Sequence, residues 1–283
     1  MEALFSACEV VKHYASLIAT LQPTEMEDIA MKESSVLIEE FYQQMQNIHH
    51  IVRFQLKWKK GAGNMKGGLK NMLPDGFKAP TLINVAPHGL EMIHHIQQSL
   101  SEGDQKSVAF MAGAYYETPD LFPGADEKQH VSDESLKDKK VIVMEPHPNN
   151  AASKDIHPHD PLELLDTLYG GGSSNTHTVI MDVTLNHLGE DQIKAVLEKA
   201  QPIIESGKLN LILLQSGTKF FQSGMDLVSI GTALTFNDKG DHWKEFNDKM
   251  GAHEESVPED DQLYVSRMLT ENKEPLKDYL DKI

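Results

Sequence analysis

The stretch LILLQSGTKFFQSGMDLVSIG, residues 211–231, decides the fold class of this protein. Its first part, Leu211–Leu214, is continuously apolar, as in a strand that is buried on both faces. A second apolar run, Leu227–Ile230, predicts another strand. Between the two runs Lys219 lies among small hydroxyl residues. A lysine at this place is either a solvated loop residue or an amine held at a functional site, and the rest of the chain distinguishes the two.

The composition is that of a globular protein. Of the 283 residues, 40% are hydrophobic and 24% are charged, which excludes a disordered or fibrous chain. No apolar run is long enough for a membrane span, and a net charge of −17 opposes binding to nucleic acid. The single cysteine, Cys8, excludes an intrachain disulfide framework and fits a reducing compartment. We therefore expect a cytoplasmic protein with neither membrane nor nucleic acid as a partner.

Strand-like and helix-like segments alternate after residue 78. The pattern predicts an α/β fold, a doubly wound and mostly parallel sheet with helices on both faces. One predicted helix begins at Gly89 and is stopped by Gly103. We expect a helical N-terminal segment over 1–58, an α/β domain over 59–240 and a helical C-terminal segment over 241–283.

Polar residues follow each predicted strand. In such sheets ligands bind at the carboxyl ends of the strands, so these residues should share one edge. They are His88 and Gly89, Tyr115 and Thr118, Glu145 and Asn149, Asp182 and Thr184, and Ser216, Thr218 and Lys219.

Asp182 and Lys219 suggest the chemistry of this edge. Asp182 interrupts the apolar run TVIMDVTL, and a buried carboxylate needs a partner such as a protonated ring nitrogen. It could equally be a turn residue after a strand. A desolvated Lys219 can lose its proton and act as a nucleophilic amine, as with aldehyde cofactors.

Three other positions fit a phosphorylated, flat cofactor. Gly89 begins a helix after a strand, where free N–H groups and the helix dipole favour a phosphate. Ser216 and Thr218 could offer hydroxyl groups to the same phosphate, and Tyr115 could stack its ring on the cofactor.

Five segments then match one family in order. VAPHGLEMIHHIQQSLSEGDQ resembles a phosphate-loop segment, AYYETPDLF resembles VYGGTxxLF, and MEPHPNN resembles xETPxNP. VIMDVT resembles VVDNT, and QSGTKFFQSGMDLVSIG resembles SATKYxxGHxDxxxG around a Schiff-base lysine. The chain thus resembles fold-type I pyridoxal-phosphate enzymes of the Cys/Met-metabolism family, such as cystathionine synthases and lyases, over about residues 60–240.

The resemblance implies a pyridoxal 5'-phosphate cofactor and a lyase or transferase that acts by β/γ-elimination or replacement on a sulfur-containing or related amino acid. It also implies a homo-oligomer. Lys219 and Tyr115 would be catalytic, with Lys219 forming the Schiff base. The cofactor would be held by Gly89, Leu90, Ser216 and Thr218 at the phosphate, Tyr115 at the ring face, Asn149 at the phenolate oxygen, and Asp182 with Thr184 at the pyridine nitrogen.

The departures from the family pattern leave alternatives open. His88 stands where the family usually has serine, the Tyr-x-Arg pair expected before GAGN is replaced by KWKK, and the usual second, smaller domain is missing. The chain could therefore be a weak or inactive protein of this fold that serves as a binding module, or a piece of a longer enzyme. Residues 1–50 match nothing in the family and could bind a protein partner.

The histidine-rich segment EPHPNNAASKDIHPHD raises the possibility of a metal site through His147, His157, His159 and Asp160. Their spacing fits no standard zinc pattern, so we expect no metal.

Overall fold

The computed structural model describes residues 65–148, 158–217, 228–253 and 257–271, apart from 75, 79 and 187, and also residues 39, 43, 46 and 47. For 267–271 it describes the backbone alone. The chain divides into two compact units, 1–62 and 63–283, and the fold below is that of the second. The helices predicted over residues 1–50 fall almost entirely outside the described residues, and the three-part domain division stays a prediction.

The described strands form a seven-stranded sheet in the order β1-β7-β6-β5-β4-β2-β3. Neighbours from β6 to β3 are parallel, whereas β7 is antiparallel to both β6 and β1. The sheet is therefore mostly parallel, as the sequence predicts. The strands are β1 Leu82–Ala86, β2 Val108–Met111, β3 Asp126–Lys128, β4 Val141–Met144, β5 His177–Asp182, β6 Leu209–Ser216 and β7 Gly231–Phe236.

Helices pack on both faces of this sheet. α2 lies against β1, β6 and β7 and contacts α6, while α5 packs against β6 and contacts α4. α1 packs against α7. The described helices are α1 Met65–Met72, α2 Gly89–Ser99, α3 Glu102–Gln105, α4 Pro161–Tyr169, α5 Asp191–Glu205, α6 Asp241–Ala252 and α7 Glu259–Glu271, with 3₁₀ turns at Pro119–Leu121 and Glu134–Asp138.

Burial on both faces explains the unbroken apolar runs of the central strands. Val143, Ile180 and Ile212 pack with Met92 and Ile96 of α2 in one core cluster. Because successive side chains of a strand point to opposite faces, the intervening residues face the other helical layer. These intervening residues are also fully buried, namely Ile142 and Met144, Val179 and Met181, and Leu211 and Leu213.

Two predicted boundaries were wrong. The second strand, expected to include Leu227–Ile230, begins at Gly231 among the described residues. Residues 228–230 precede it, and the Ile230 carbonyl accepts the Gly217 N–H, while Leu227 lies outside the described residues. The helix from Gly89 ends at Ser99 rather than at Gly103, since Leu100 turns to an extended conformation.

The physical reason for the early end of α2 is a new N-cap immediately after it. The Ser101 hydroxyl accepts the Asp104 N–H and starts the short helix α3, so Gly103 lies inside a helix instead of ending one.

Gly231 is a point of close backbone approach. It pairs with Ala86 at the end of β1, where the chain turns into α2. A Cβ atom on Gly231 would lie 2.3 Å from the carbonyl oxygen of His88 and 2.7 Å from the nitrogen of Gly89. Only glycine leaves room for this turn, so residue 231 helps to set where α2 begins.

We expect Gly231→Ala to destabilise the protein by about 1–3 kcal/mol, because the methyl group would meet backbone that cannot move aside cheaply. The melting temperature should fall by about 2–4 °C per kcal/mol in differential scanning calorimetry. Gly251→Ala is the matched control, since a Cβ at this helical position meets nothing within 4 Å and alanine favours a helix. Equal melting temperatures for the two variants would contradict the close-approach argument.

A stacked histidine pair joins α2 to the end of α6. The rings of His95 and His253 lie 4.1 Å apart and within 6° of parallel. Burial, followed by the neighbouring charge of His253, lowers the pKa of His95, and Glu91 opposes this shift only in part. The folded protein therefore holds a proton on His95 less readily than the unfolded chain does.

The free energy of unfolding should consequently decrease as the solution becomes more acidic. Below the ordinary histidine pKa of about 6.5, the unfolded chain takes up a proton on His95 before the folded protein does. The contribution of neutral His95 to stability is therefore present above that pH and is lost as the pH falls towards the lower folded-state pKa. Melting temperatures of wild type and His95→Gln from pH 7.5 to 5.5 test this. The wild type should lose more stability than the variant, and identical slopes would refute the prediction.

Candidate functional site

A pocket with a cavity volume of about 230 Å³ lies at the edge of the sheet where β4, β5 and β6 end. The structure brings to it every predicted site residue that it describes. These are Gly89, Leu90, Tyr115, Asp182, Thr184 and Ser216. The start of α2 forms one wall, and the segments after β2 and β4, the end of β5 with the segment after it, and the end of β6 supply the rest.

Polar side chains at this edge continue apolar rows of the sheet. Glu145, Asp182 and Ser216 all line the pocket and come two residues after buried core positions. Because side chains alternate along a strand, each extends the row that faces α2. The preceding members of these rows are Val141 and Val143 on β4, Ile180 on β5, and Ile212 and Leu214 on β6.

The start of α2 presents backbone donors to the pocket. His88 is the N-cap, and its Nδ1 accepts the Glu91 N–H at 3.1 Å. Within the described residues, the N–H groups of Gly89 and Leu90 make no hydrogen bond. A Cβ on Gly89 would lie 3.2 Å from the Cβ of Ser216, so the helix start lies directly against the end of β6. Free N–H groups at a helix N-terminus form a site for an anion such as phosphate.

A hydrogen-bonded chain links Asp182 to β6. Oδ1 of Asp182 accepts the Thr184 hydroxyl at 2.6 Å and the Thr184 N–H at 2.9 Å. The Thr184 oxygen in turn accepts the Ser216 N–H at 2.9 Å. Because the Thr184 hydroxyl donates to one strand end and accepts from the next, it holds the Asp182 carboxylate in one orientation at the pocket.

Tyr115 lies in the loop after β2. Gly113 turns this loop with a φ of 86°, and the Tyr115 carbonyl accepts the Thr118 N–H at 2.8 Å. The ring of Tyr115 contacts that of Tyr116 at 4.7 Å, and Tyr116 itself is exposed. A hydrogen bond with Tyr116, then burial and the charge of Glu117, raise the pKa of Tyr115, so its hydroxyl is protonated at neutral pH.

Three predicted site residues lie outside the described part of the chain. They are Asn149, Thr218 and Lys219. The described segments end at Pro148 on one side and at Gly217 on the other. The roles of these three residues therefore stay predictions from the sequence.

Solved structures resemble this architecture. An aromatic-amino-acid aminotransferase from Burkholderia pseudomallei, covalently bound to pyridoxal phosphate, matches with a TM-score of 0.52 and 10% identity, over 85% of this chain and 67% of that one. A serine palmitoyltransferase from S. paucimobilis matches with a TM-score of 0.51 and 12% identity, over 78% of this chain and 60% of that one.

This chain has the fold of the fold-type I pyridoxal-phosphate enzymes. A cystathionine gamma-lyase from Micromonospora echinospora is also similar, with 17% identity and a TM-score of 0.48 over 67% of this chain and 47% of that one. The chain spans about half the length of the lyases that it matches, with 47%, 50% and 48% of three such structures covered.

The sequence comparisons add no closer relative. No family model matches the chain, and no curated protein matches it. Within the described part of the chain, no helix has the length and apolar composition needed to cross a membrane. The described residues also bring together no group of three or more histidine, cysteine, aspartate or glutamate side chains that could hold a metal ion. His157 of the histidine-rich segment lies outside them.

The described side chains fit pyridoxal phosphate. The helix start at Gly89 and Leu90 suits the phosphate, with the Ser216 side chain directly against it. Asp182, oriented by Thr184, suits a protonated ring nitrogen. Tyr115 is an aromatic residue of the pocket lining.

Glu145 and His147 also line the pocket, although the sequence assigned neither residue a contact with the cofactor. The strand pattern did place Glu145 at this edge, where it continues the row of Val141 and Val143 on the α2-facing side. His147 hydrogen bonds to Gln192 of α5 at 3.2 Å, a long-range contact for which the local sequence has no signal.

Replacing Thr184 tests the hydrogen-bonded chain. Thr184→Val keeps the shape but removes the hydroxyl, which leaves the Ser216 N–H without this acceptor and Asp182 with one donor fewer. We expect a loss of about 1–3 kcal/mol in the free energy of unfolding by urea. Thr184→Ser keeps the hydroxyl and should lose clearly less. If the valine variant is as stable as the serine variant, the hydrogen bonds through the Thr184 hydroxyl do not stabilise the pocket.

Proposed function

We propose that this protein is a pyridoxal-phosphate-dependent lyase or transferase acting on a sulfur-containing or related amino acid, by β/γ-elimination or replacement. The main support is the convergence on one pocket of residues for which the sequence resemblance implies distinct cofactor contacts. Positions as far apart as Gly89, Tyr115, Asp182 and Ser216 meet there.

Each residue has a role in the proposed site. The N–H groups of Gly89 and Leu90 and the side chain of Ser216 would bind the phosphate oxygens, joined by Thr218. Asp182, held by Thr184, would stabilise a proton on the pyridine nitrogen. Tyr115 would pack against the ring face and Asn149 would contact the phenolate oxygen.

Lys219 would carry the chemistry. Its amine would hold the cofactor aldehyde covalently and, once released by an amino-acid substrate, would take the proton from the substrate α-carbon. When bound, pyridoxal phosphate supplies an electron-accepting ring that spreads the negative charge left at that carbon. The negative charge of Asp182 would keep the pyridine nitrogen protonated and thereby favour this acceptance.

The second candidate is a binding module with this fold and little or no turnover. One observation favours it: His88 stands at the helix start where the resembled family usually has serine. A cytoplasmic location, self-association and a protein partner for residues 1–50 belong to either version of the proposal.

Loading the purified protein with pyridoxal phosphate distinguishes the enzyme from the binding module. Pyridoxal phosphate should produce a visible absorption band in the wild type, and borohydride should fix the cofactor to Lys219 in peptide mapping by mass spectrometry. Lys219→Ala should lose both, whereas Lys194→Ala, an exposed lysine on α5, should keep both. No band at saturating cofactor would defeat the proposal. A band with neither release of ammonium nor formation of a new amino acid from any sulfur-containing amino acid, in the presence of an added thiol, would favour the binding module.

A further inference from the structure

Glu145 is a buried acid that the proposed chemistry does not use. Only 7% of its surface is exposed, and it lines the pocket together with Asp182. β4 and β5 are parallel, with Met144 opposite Met181, so the two acids leave neighbouring strands side by side. Since a carboxylate is costly to bury without polar partners, its contacts indicate why it is there.

Glu145 contacts the backbone of Tyr115. Its Oε1 accepts the Tyr115 N–H, a charge-assisted bond across 30 positions of sequence. Bonds of this kind are stronger than those between neutral groups and fix the position of the donor. The carboxylate thereby connects the end of β4 to the middle of the loop after β2.

The segment after β4 and the loop after β2 are also joined through His159. Comparing this contact with that of Glu145 shows what Glu145 adds. The ring of His159 hydrogen bonds through Nε2 to the Ala112 carbonyl at 2.7 Å, and the backbone N–H of His159 donates to the Pro146 carbonyl at 3.0 Å. Ala112 precedes the turn at Gly113, so His159 holds the base of the loop. Glu145 acts beyond the turn, at Tyr115, which is a residue of the pocket lining.

We propose that Glu145 is a positioning residue of the cofactor pocket. Its buried carboxylate holds the backbone of Tyr115 and so sets where the Tyr115 ring lies against the cofactor. This inference rests on the function proposed above. The acid itself takes no part in bond making, because its role is exerted through Tyr115.

Hydrogen exchange in the cofactor-free protein tests the contact directly. In Glu145→Ala, amides of the 113–118 loop should exchange about tenfold faster or more, as expected for the loss of a hydrogen bond to a charged group. Peptides from α5 should exchange at the wild-type rate, which separates local release from general destabilisation. Glu145→Gln keeps one acceptor oxygen and should give a smaller increase, and it also serves if the alanine variant does not fold.

Cofactor titration tests the consequence for the site. Glu145→Ala should bind pyridoxal phosphate about tenfold more weakly, with a smaller visible circular dichroism signal per bound cofactor, because free pyridoxal phosphate is achiral and the signal reports its surroundings. Glu145→Gln should recover part of both. Glu198→Gln, which changes an exposed acid on α5, should match the wild type.

The outcomes are separable. Wild-type exchange of the loop in both Glu145 variants would overturn the positioning role. Faster exchange with unchanged cofactor affinity and dichroism would show that the contact orders the loop without serving the cofactor, which also overturns it. If the wild type itself binds no pyridoxal phosphate, the proposed function fails, and the part of this inference that concerns the cofactor fails with it.

Discussion

Helices cover both faces of the central strands, and this constraint determines where polar chemistry can lie. Polar side chains within β5 and β6 are buried and need partners inside the protein, as where the Asn210 amide donates to the Thr178 hydroxyl at 3.5 Å. At the carboxyl ends of β4, β5 and β6, the rows that face α2 pass from apolar residues to Glu145, Asp182 and Ser216. Parallel strands end at one edge, so the three side chains meet at one pocket.

The remaining wall of the pocket depends on the two strands that break the parallel pattern. β7 runs antiparallel between β6 and β1, which brings the end of β1 close to the end of β6. The chain then turns at His88 over Gly231, where no Cβ would fit, and starts α2 against Ser216. The antiparallel pairing and one glycine therefore place the positive end of the helix dipole beside the pocket.

The fold alone does not decide the activity, since one fold can support many functions. The proposed function rests instead on the pocket, where an oriented carboxylate, the start of a helix and an aromatic residue meet around one cavity. His88 and His147 distinguish the pocket mouth from the resembled family pattern.

The sequence by itself determined the strand and helix alternation, the mostly parallel sheet and the edge at which the site lies. It could do so because apolar runs and the polar residues that end them are local patterns, as at Asp182 and Ser216. It failed at Gly103, where a cap by Ser101 outweighed the stop, and at residues 228–230, which precede the strand rather than forming part of it. Only the tertiary structure decided the contact of Glu145 with Tyr115, the Thr184 bridge to Ser216 and the turn over Gly231. Each joins segments that the sheet order makes neighbours, and no local pattern in the sequence records which strand ends will meet.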